Sequence, residues 1–177
     1  MGSHVVQRLG VVMGAGDNLV LAYHHGTHRH LAFGESLLRF GSEAQKQRFL
    51  LPLAGGEKIG AFALTEPNAG SDPVSQRMRA TRDGDSYLLV GTKRFITSGK
   101  NADMAIVMAV TDKAAGKRGI SAFIVPTKTP GYTVARIEDK LGQHSSDTAQ
   151  ILFENCRVPA SLMIGEPGAG YKIALAG

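Results

Sequence analysis

Seven short runs rich in β-branched and aromatic residues succeed one another over 59–65, 76–82, 87–96, 104–110, 121–126, 132–137 and 149–153, with no helical stretch among them. Turn residues separate them. A parallel, doubly wound sheet needs a helix between successive strands. This spacing therefore predicts an antiparallel sandwich or barrel-like body. Asp83-Gly84, set between two such runs, marks a tight hairpin. The 22 glycines among 177 residues agree with a chain of many tight turns.

Upstream of residue 58 the periodicity is helical. Asp17-Asn18 offers an N-cap, and Leu19, Leu21, Tyr23, Leu31, Leu37, Leu38 and Phe40 follow at loose helical spacing, predicting one bent helix or two short ones that end at Gly41. Ser42 and Gln45 form a capping-box signature for a second helix, which carries Phe49, Leu50 and Leu53 and stops at Gly55-Gly56. Pro52 is expected to shorten its last turn. After Pro167-Gly168, residues 171–175 read as the start of another helix, too short to stand alone, so the chain reads as truncated. The expected fold class is α+β, with three parts. Residues 1–58 close a helical domain, 59–160 form the β-domain, and 161–177 form a linker and the start of a C-terminal helical domain.

Composition narrows the function classes. Apolar residues at 43% and charged residues at 20% exclude disordered and fibrous chains. The single cysteine, Cys156, excludes an intramolecular disulfide framework and a multi-cysteine zinc site, and reads as a small apolar residue in a reducing compartment. No run approaches a membrane span and no targeting segment is evident. A net charge of +5 is spread over dispersed lysines and arginines without a nucleic-acid motif, and suits a polyanionic small ligand. His24, His25, His28 and His30 cluster, with two of them four apart as ligands on one helical face would be. No carboxylate stands at a zinc-protease spacing, so the cluster reads as a solvated or interface-lining helix face and no metal site is expected.

Two segments could carry chemistry. The stretch Leu64-Thr65-Glu66-Pro67-Asn68-Ala69-Gly70-Ser71-Asp72 offers amides and hydroxyls to an acceptor-rich ligand, or is an ordinary turn capped by Ser71 or Asp72. Lys93-Arg94-Phe95-Ile96-Thr97 ends a strand with an aromatic residue and a hydroxyl. That suits a flat heteroaromatic ring, or is simply a strand with Phe95 in the core. Lys117-Arg118 reads as a solvated turn or as a phosphate contact.

Taken together, these motifs in this order, continued by Asp139-Lys140-Leu141-Gly142, by residues 119–126, by Phe153-Glu154-Asn155-Cys156-Arg157-Val158-Pro159 and by residues 165–171, resemble the acyl-CoA dehydrogenase family. The likeness runs over nearly the whole chain from about Asp17. It implies FAD as cofactor, lined by Phe62, Ala63, Leu64, Thr65 and Ser71 on one segment and by Phe95, Ile96 and Thr97 on the other. Many members carry tryptophan where this chain has Phe95. Ser71, Lys117 and Arg118 would reach the acyl-CoA substrate. The resemblance further implies α,β-dehydrogenation of an acyl thioester, an electron-transfer flavoprotein as acceptor, and a homo-oligomeric full-length protein. It implies a cytoplasmic or mitochondrial-matrix setting according to source. The carboxylate base would come from a C-terminal helical domain beyond residue 177, so no catalytic residue is expected in this chain, and Glu66 belongs to the flavin loop. Asn68, Tyr23 and His28 are similar to the isovaleryl type, whereas residues 143–148 differ. The alternatives are a flavin monooxygenase or nitroalkane-oxidising relative of the same fold, and a non-catalytic binding module.

Overall fold

The computed structural model describes residues 11–13, 19–21 and 28–176, with side chains from residue 32 onward. Its body is an eight-stranded sheet. Its most deeply buried strands are β6 (Met104–Val110) and β7 (Ile120–Pro126), paired antiparallel from Met104–Pro126 to Val110–Ile120. β6 is an unbroken apolar run and β7 is one but for Ser121, as expected of strands covered on both faces. Residues 104–109 and 120–125 are all buried. The short β10 (Met163–Ile164) lies on the outer edge of β7. On the other side of β6 lie β3 (Gly60–Ala63) and the end of β4 (Arg79–Asp83). Both run parallel to β6, a departure from the otherwise antiparallel pairing that the strand spacing predicts.

The sheet continues through β5 (Ser86–Thr97), β9 (Thr148–Pro159) and the edge strand β8 (Tyr132–Ile137). The β4–β5 hairpin closes with Asp83 opposite Ser86, so its loop is Gly84-Asp85, and Gly84 takes the positive φ of 60° that such a turn demands. Strand β9 outruns its expected end at Phe153. The polar pair Glu154-Asn155 forms a bulge within it. Between the pairs Leu89–Cys156 and Gly91–Phe153, one residue of β5 (Val90) stands opposite two of β9 (Glu154 and Asn155), with Asn155 at φ 48°. Cys156, beyond the bulge, is fully buried, and burial pushes its thiol up to about 11.

Helices cover one end of this body. In α1 (His28–Phe40), Phe33 and Leu37 are wholly buried, and Phe33 sits over Gly60 at the start of β3. The expected capping box is present. The Ser42 hydroxyl accepts from the Gln45 amide, and the Gln45 side chain accepts from the Ser42 amide. That cap opens α2 (Glu43–Gln45), which passes through a π turn (Lys46–Leu50) into α3 (Leu51–Ala54). Pro52 does not cut the helix short. The preceding π turn, with the Leu51 amide donating to the Lys46 carbonyl, absorbs it at the first turn of α3, where a proline needs no amide. Gln45 also ties the helices to the sheet, its amide nitrogen donating to the carbonyls of Ser161 (2.9 Å) and Met163 (2.8 Å). Beside α1, with Lys172 Nζ 5.7 Å from the Phe40 ring centroid, α4 (Gly170–Ala174) begins the expected last helix.

The helical reading fails at its start. Val11–Met13 (β1) and Leu19–Leu21 (β2) pair as an antiparallel ribbon, Val12 opposite Val20. Short apolar triplets with β-branched centres suit strands, and they are too brief to nucleate a helix. Asp17, Asn18, Tyr23, His24 and His25 lie outside the described residues, and His28 and His30 fall in the first turn of α1.

Gly91 of β5 faces Met78 so closely that a Cβ there would stand 2.8 Å from Met78 Cα. Gly91→Ala is expected to cost about 1–3 kcal/mol through overpacking, read as a lowered urea midpoint with unchanged m.

Candidate functional site

The site is built where β5 bends. Between the pairs Lys93–Ile151 and Ile96–Ala149, two residues of β5 (Arg94 and Phe95) stand opposite one of β9 (Gln150), so one extra residue is forced out of the ladder. Phe95 takes that place with φ 57°, an uncommon conformation for a bulky residue, and its side chain is 55% exposed. Its neighbours point the other way, Lys93 and Ile96 being buried in the body. Ile96 therefore offers no side chain to the surface, while Phe95 and the half-buried Thr97 do. Thr97 lies opposite Thr148 at the strand end. The Arg94 guanidinium stands 4.8 Å from the Phe95 ring centroid, and its Nε lies 3.8 Å from Glu138 Oε1.

The second segment lies beside it. Strand β3 turns Ala61 and Ala63 inward and leaves Phe62 and Leu64 half-buried. The chain then folds back on itself at Pro67-Asn68, with Glu66 and Ala69 exchanging amide–carbonyl bonds of 3.1 and 3.2 Å. The Arg94 amide donates to the Thr65 carbonyl at 2.8 Å, so the two segments run edge to edge on one side of the sheet. Ser71 is exposed, and the adjacent Asp72 caps the turn that follows, accepting from the Val74 amide at 3.0 Å.

Behind these segments sits a buried polar cluster that the motif reading missed. Lys93 is 0% exposed, and its Nζ donates to the Leu64 carbonyl (2.9 Å), Glu66 Oε1 (2.9 Å) and Gln76 Oε1 (2.8 Å). Three protons meet three acceptors. Glu66, 6% exposed, also accepts from the Arg77 amide at 2.7 Å and the Met78 amide at 3.2 Å. A carboxylate so engaged is a structural anchor. Burial lowers the Lys93 pKa to about 8, outweighing the opposing pull of Glu66. The sequence did carry a signal: along β5, Tyr87, Leu89, Gly91 and Lys93 fall on one alternating face, which places a lysine on the inward register.

A broad groove of about 1330 Å³ opens nearby, lined by Arg77, Arg79, Arg82 and Lys113, with Asp112 the one acidic residue among its lining. Its floor includes Gln76, Ala80, Tyr87 and Thr111. Lys117 and Arg118 are exposed on the helical turn Lys113–Gly119 and are not among the groove's lining residues, although Gly116 is. Among the described residues no three His, Cys, Asp or Glu side chains gather as a metal site, and no helix is long and apolar enough to cross a membrane.

The fold is a mixed α+β body in which two segments meet beside an exposed aromatic ring, and comparison with known proteins supplies its family. The family model for the acyl-CoA dehydrogenase middle domain matches residues 61–156. The mitochondrial short-chain specific acyl-CoA dehydrogenase of Homo sapiens is 45% identical over 166 residues, which is 94% of this chain and 37% of that protein. The structure of butyryl-CoA dehydrogenase from Megasphaera elsdenii superposes with a TM-score of 0.78 at 50% identity, over 80% of this chain and 37% of the other. A chain in the structure of the electron transferring flavoprotein of Acidaminococcus fermentans gives 0.80 at 48% identity, over 81% of this chain and 38% of that one. This chain belongs to the acyl-CoA dehydrogenase family. It spans somewhat over a third of the length of these relatives.

Lys93→Met leaves Glu66 buried without its cation and is expected to cost about 3–5 kcal/mol in urea unfolding. The pH dependence has a definite sign. Between about 8 and the ordinary lysine value of 10.5 the unfolded chain binds more protons than the folded one, so Lys93 makes stability rise with pH across that window. The Lys93→Met variant should lack this rise.

Proposed function

We propose that this chain is the middle part of an FAD-dependent acyl-CoA dehydrogenase acting on a short-chain acyl-CoA thioester. The observation that carries the reading is Phe95, strained and exposed at the β5 bulge, with the Thr65 loop hydrogen-bonded to its flank. A planar ring system fits such a place. With the Arg94 guanidinium over one face of the phenyl ring, a stacked ligand takes the other. Phe95 supplies apolar area, and Thr65 and Thr97 offer hydroxyls to the polar edge. Phe62, Ala63, Leu64 and Ser71 line the loop side, and Ile96 contributes backbone alone. Phenylalanine in place of the tryptophan common in the family keeps the stacking surface and gives up one indole N–H.

The flavin, when bound, supplies the hydride acceptor that the dehydrogenation requires. This chain's part is to bind, orient and exclude water. The acyl-CoA phosphates find their complement in the groove of Arg77, Arg79, Arg82 and Lys113, with Ser71, Lys117 and Arg118 toward its surroundings. Glu66 is excluded as the base that removes the α-proton, because Lys93 and two amides hold its carboxylate inside the body. On the family reading, the base comes from a C-terminal helical domain beyond residue 177. On the same reading, residues 1–58 and 161–177 are edges of flanking helical domains, the whole protein is a homo-oligomer, and an electron-transfer flavoprotein takes the electrons. The names of the relatives favour a short acyl chain over a branched one.

Titrating the chain with FAD and following flavin fluorescence should show binding. Phe95→Ala should weaken it about tenfold, roughly 1.4 kcal/mol, the scale of a lost aromatic contact. Adding a short-chain acyl-CoA and an electron-accepting dye to the FAD-loaded chain should give no turnover, and sustained turnover would place the base inside these residues and overturn that part of the reading.

A further inference from the structure

We infer that Lys93 is a positioning residue: by joining Leu64, Glu66 and Gln76 to the strand that carries Phe95, it sets the spacing between the two ligand-facing segments and so the affinity of the site. The inference rests on the flavin reading above for its ligand, and on geometry for its mechanism.

The segment between β3 and β4 leaves the parallel ladder with β6 at Ala63 and rejoins the sheet at Arg79. Over that interval its backbone has few ladder bonds to the sheet; the Arg94 amide to the Thr65 carbonyl is one. The Val110 amide to the Met78 carbonyl, 2.8 Å, is another, and the side-chain cluster ties the stretch between them. One ammonium on β5 reaches the start of the segment through the Leu64 carbonyl, its first turn through Glu66 and its return through Gln76. Glu66 passes the restraint on to the Arg77 and Met78 amides, and Gln76 passes it on to the Pro73 carbonyl, 2.8 Å from its Nε2. Points spread over 64–78 are thereby referred to a single atom two residues from Phe95. A hydrophobic side chain at 93 would fill the volume but reach none of them. A ligand held between the loop and the ring therefore feels the length of this tie, because directional bonds fix a distance that apolar packing leaves free.

The test compares the parent chain with Lys93→Met/Glu66→Gln, which removes both buried charges and leaves a carbonyl oxygen at 66 for the Arg77 and Met78 amides, so the fold is kept. Lys93→Met alone serves as a second variant. Amide hydrogen exchange should quicken at least tenfold across 64–78 in the double variant, while β6 and β7 keep their protection. In the same folded sample, FAD affinity measured by fluorescence should fall at least tenfold. Unchanged exchange in 64–78 overturns the tie, and a loosened loop with unchanged FAD affinity overturns its positioning role. If the parent chain takes up no FAD, the flavin reading is what fails, and the exchange comparison still decides whether Lys93 holds the loop.

Discussion

A lysine ammonium buried without water is tolerable only when each of its protons has an acceptor and a counter-charge stands beside it. Lys93 meets both conditions, and much of the site's geometry follows from that. The 64–78 segment must cross the sheet between two ladder positions while keeping its own peptide groups satisfied. Glu66 serves this need twice. Its main chain closes the tight turn with Ala69, and its carboxylate receives the Arg77 and Met78 amides. Neither could be held inside without the cation, and the cation could not be held without them. The pair is thus a condition for the loop's shape more than a gain in stability, which fits the general finding that buried ion pairs add little net free energy.

The strands were the most legible part of the sequence because their signal is local. Residues 104–110 and 132–137 coincide with β6 and β8, and the Asp83-Gly84 signal gave the hairpin. The capping box at Ser42 and Gln45 was equally plain, since its two bonds involve residues three apart. What could not be read locally was pairing. The parallel approach of β3 and β4 to β6 depends on where distant strands settle. The bulge at Asn155, which carries β9 past Phe153, likewise depends on how β5 pairs with it. The strand at Leu19–Leu21 was mistaken for helix because three residues carry no distinguishing period.

The site divides in the same way. Thr65, Phe95 and Thr97 stood out because hydroxyls and a ring at a strand end are unusual enough to notice. Lys93 and Glu66 lay within the very same motifs, yet their side chains point inward, and a charged residue in a polar loop looks solvated until the register is counted. Lys117 and Arg118 were selected as a cationic pair in sequence. The cations that line the groove are dispersed along the chain, and only the return of β4 beside the end of β6 brings Arg77, Arg79 and Lys113 to one place.

The bulge that lifts Phe95 shows how such a site keeps its form. A bulky residue at positive φ costs about 1–3 kcal/mol and persists only where its surroundings over-determine it. Here the over-determination is visible on both sides. Lys93, two residues before, is fixed by three hydrogen bonds, and Ile96, one residue after, is sealed in the core at 2% exposure. Strand β8 carries a matching irregularity across β9, where Val134 and Arg136 span the adjacent residues Ile151 and Gln150. With extra residues on both flanks at the level of Gln150, β9 is held between two bulged neighbours, and neither can slip by one residue without turning a buried side chain outward. The exposed ring is thus the free end of a rigid arrangement. Its orientation is set by the buried Lys93 and Ile96 on either side of it, so the exposed ring is held by the fold itself.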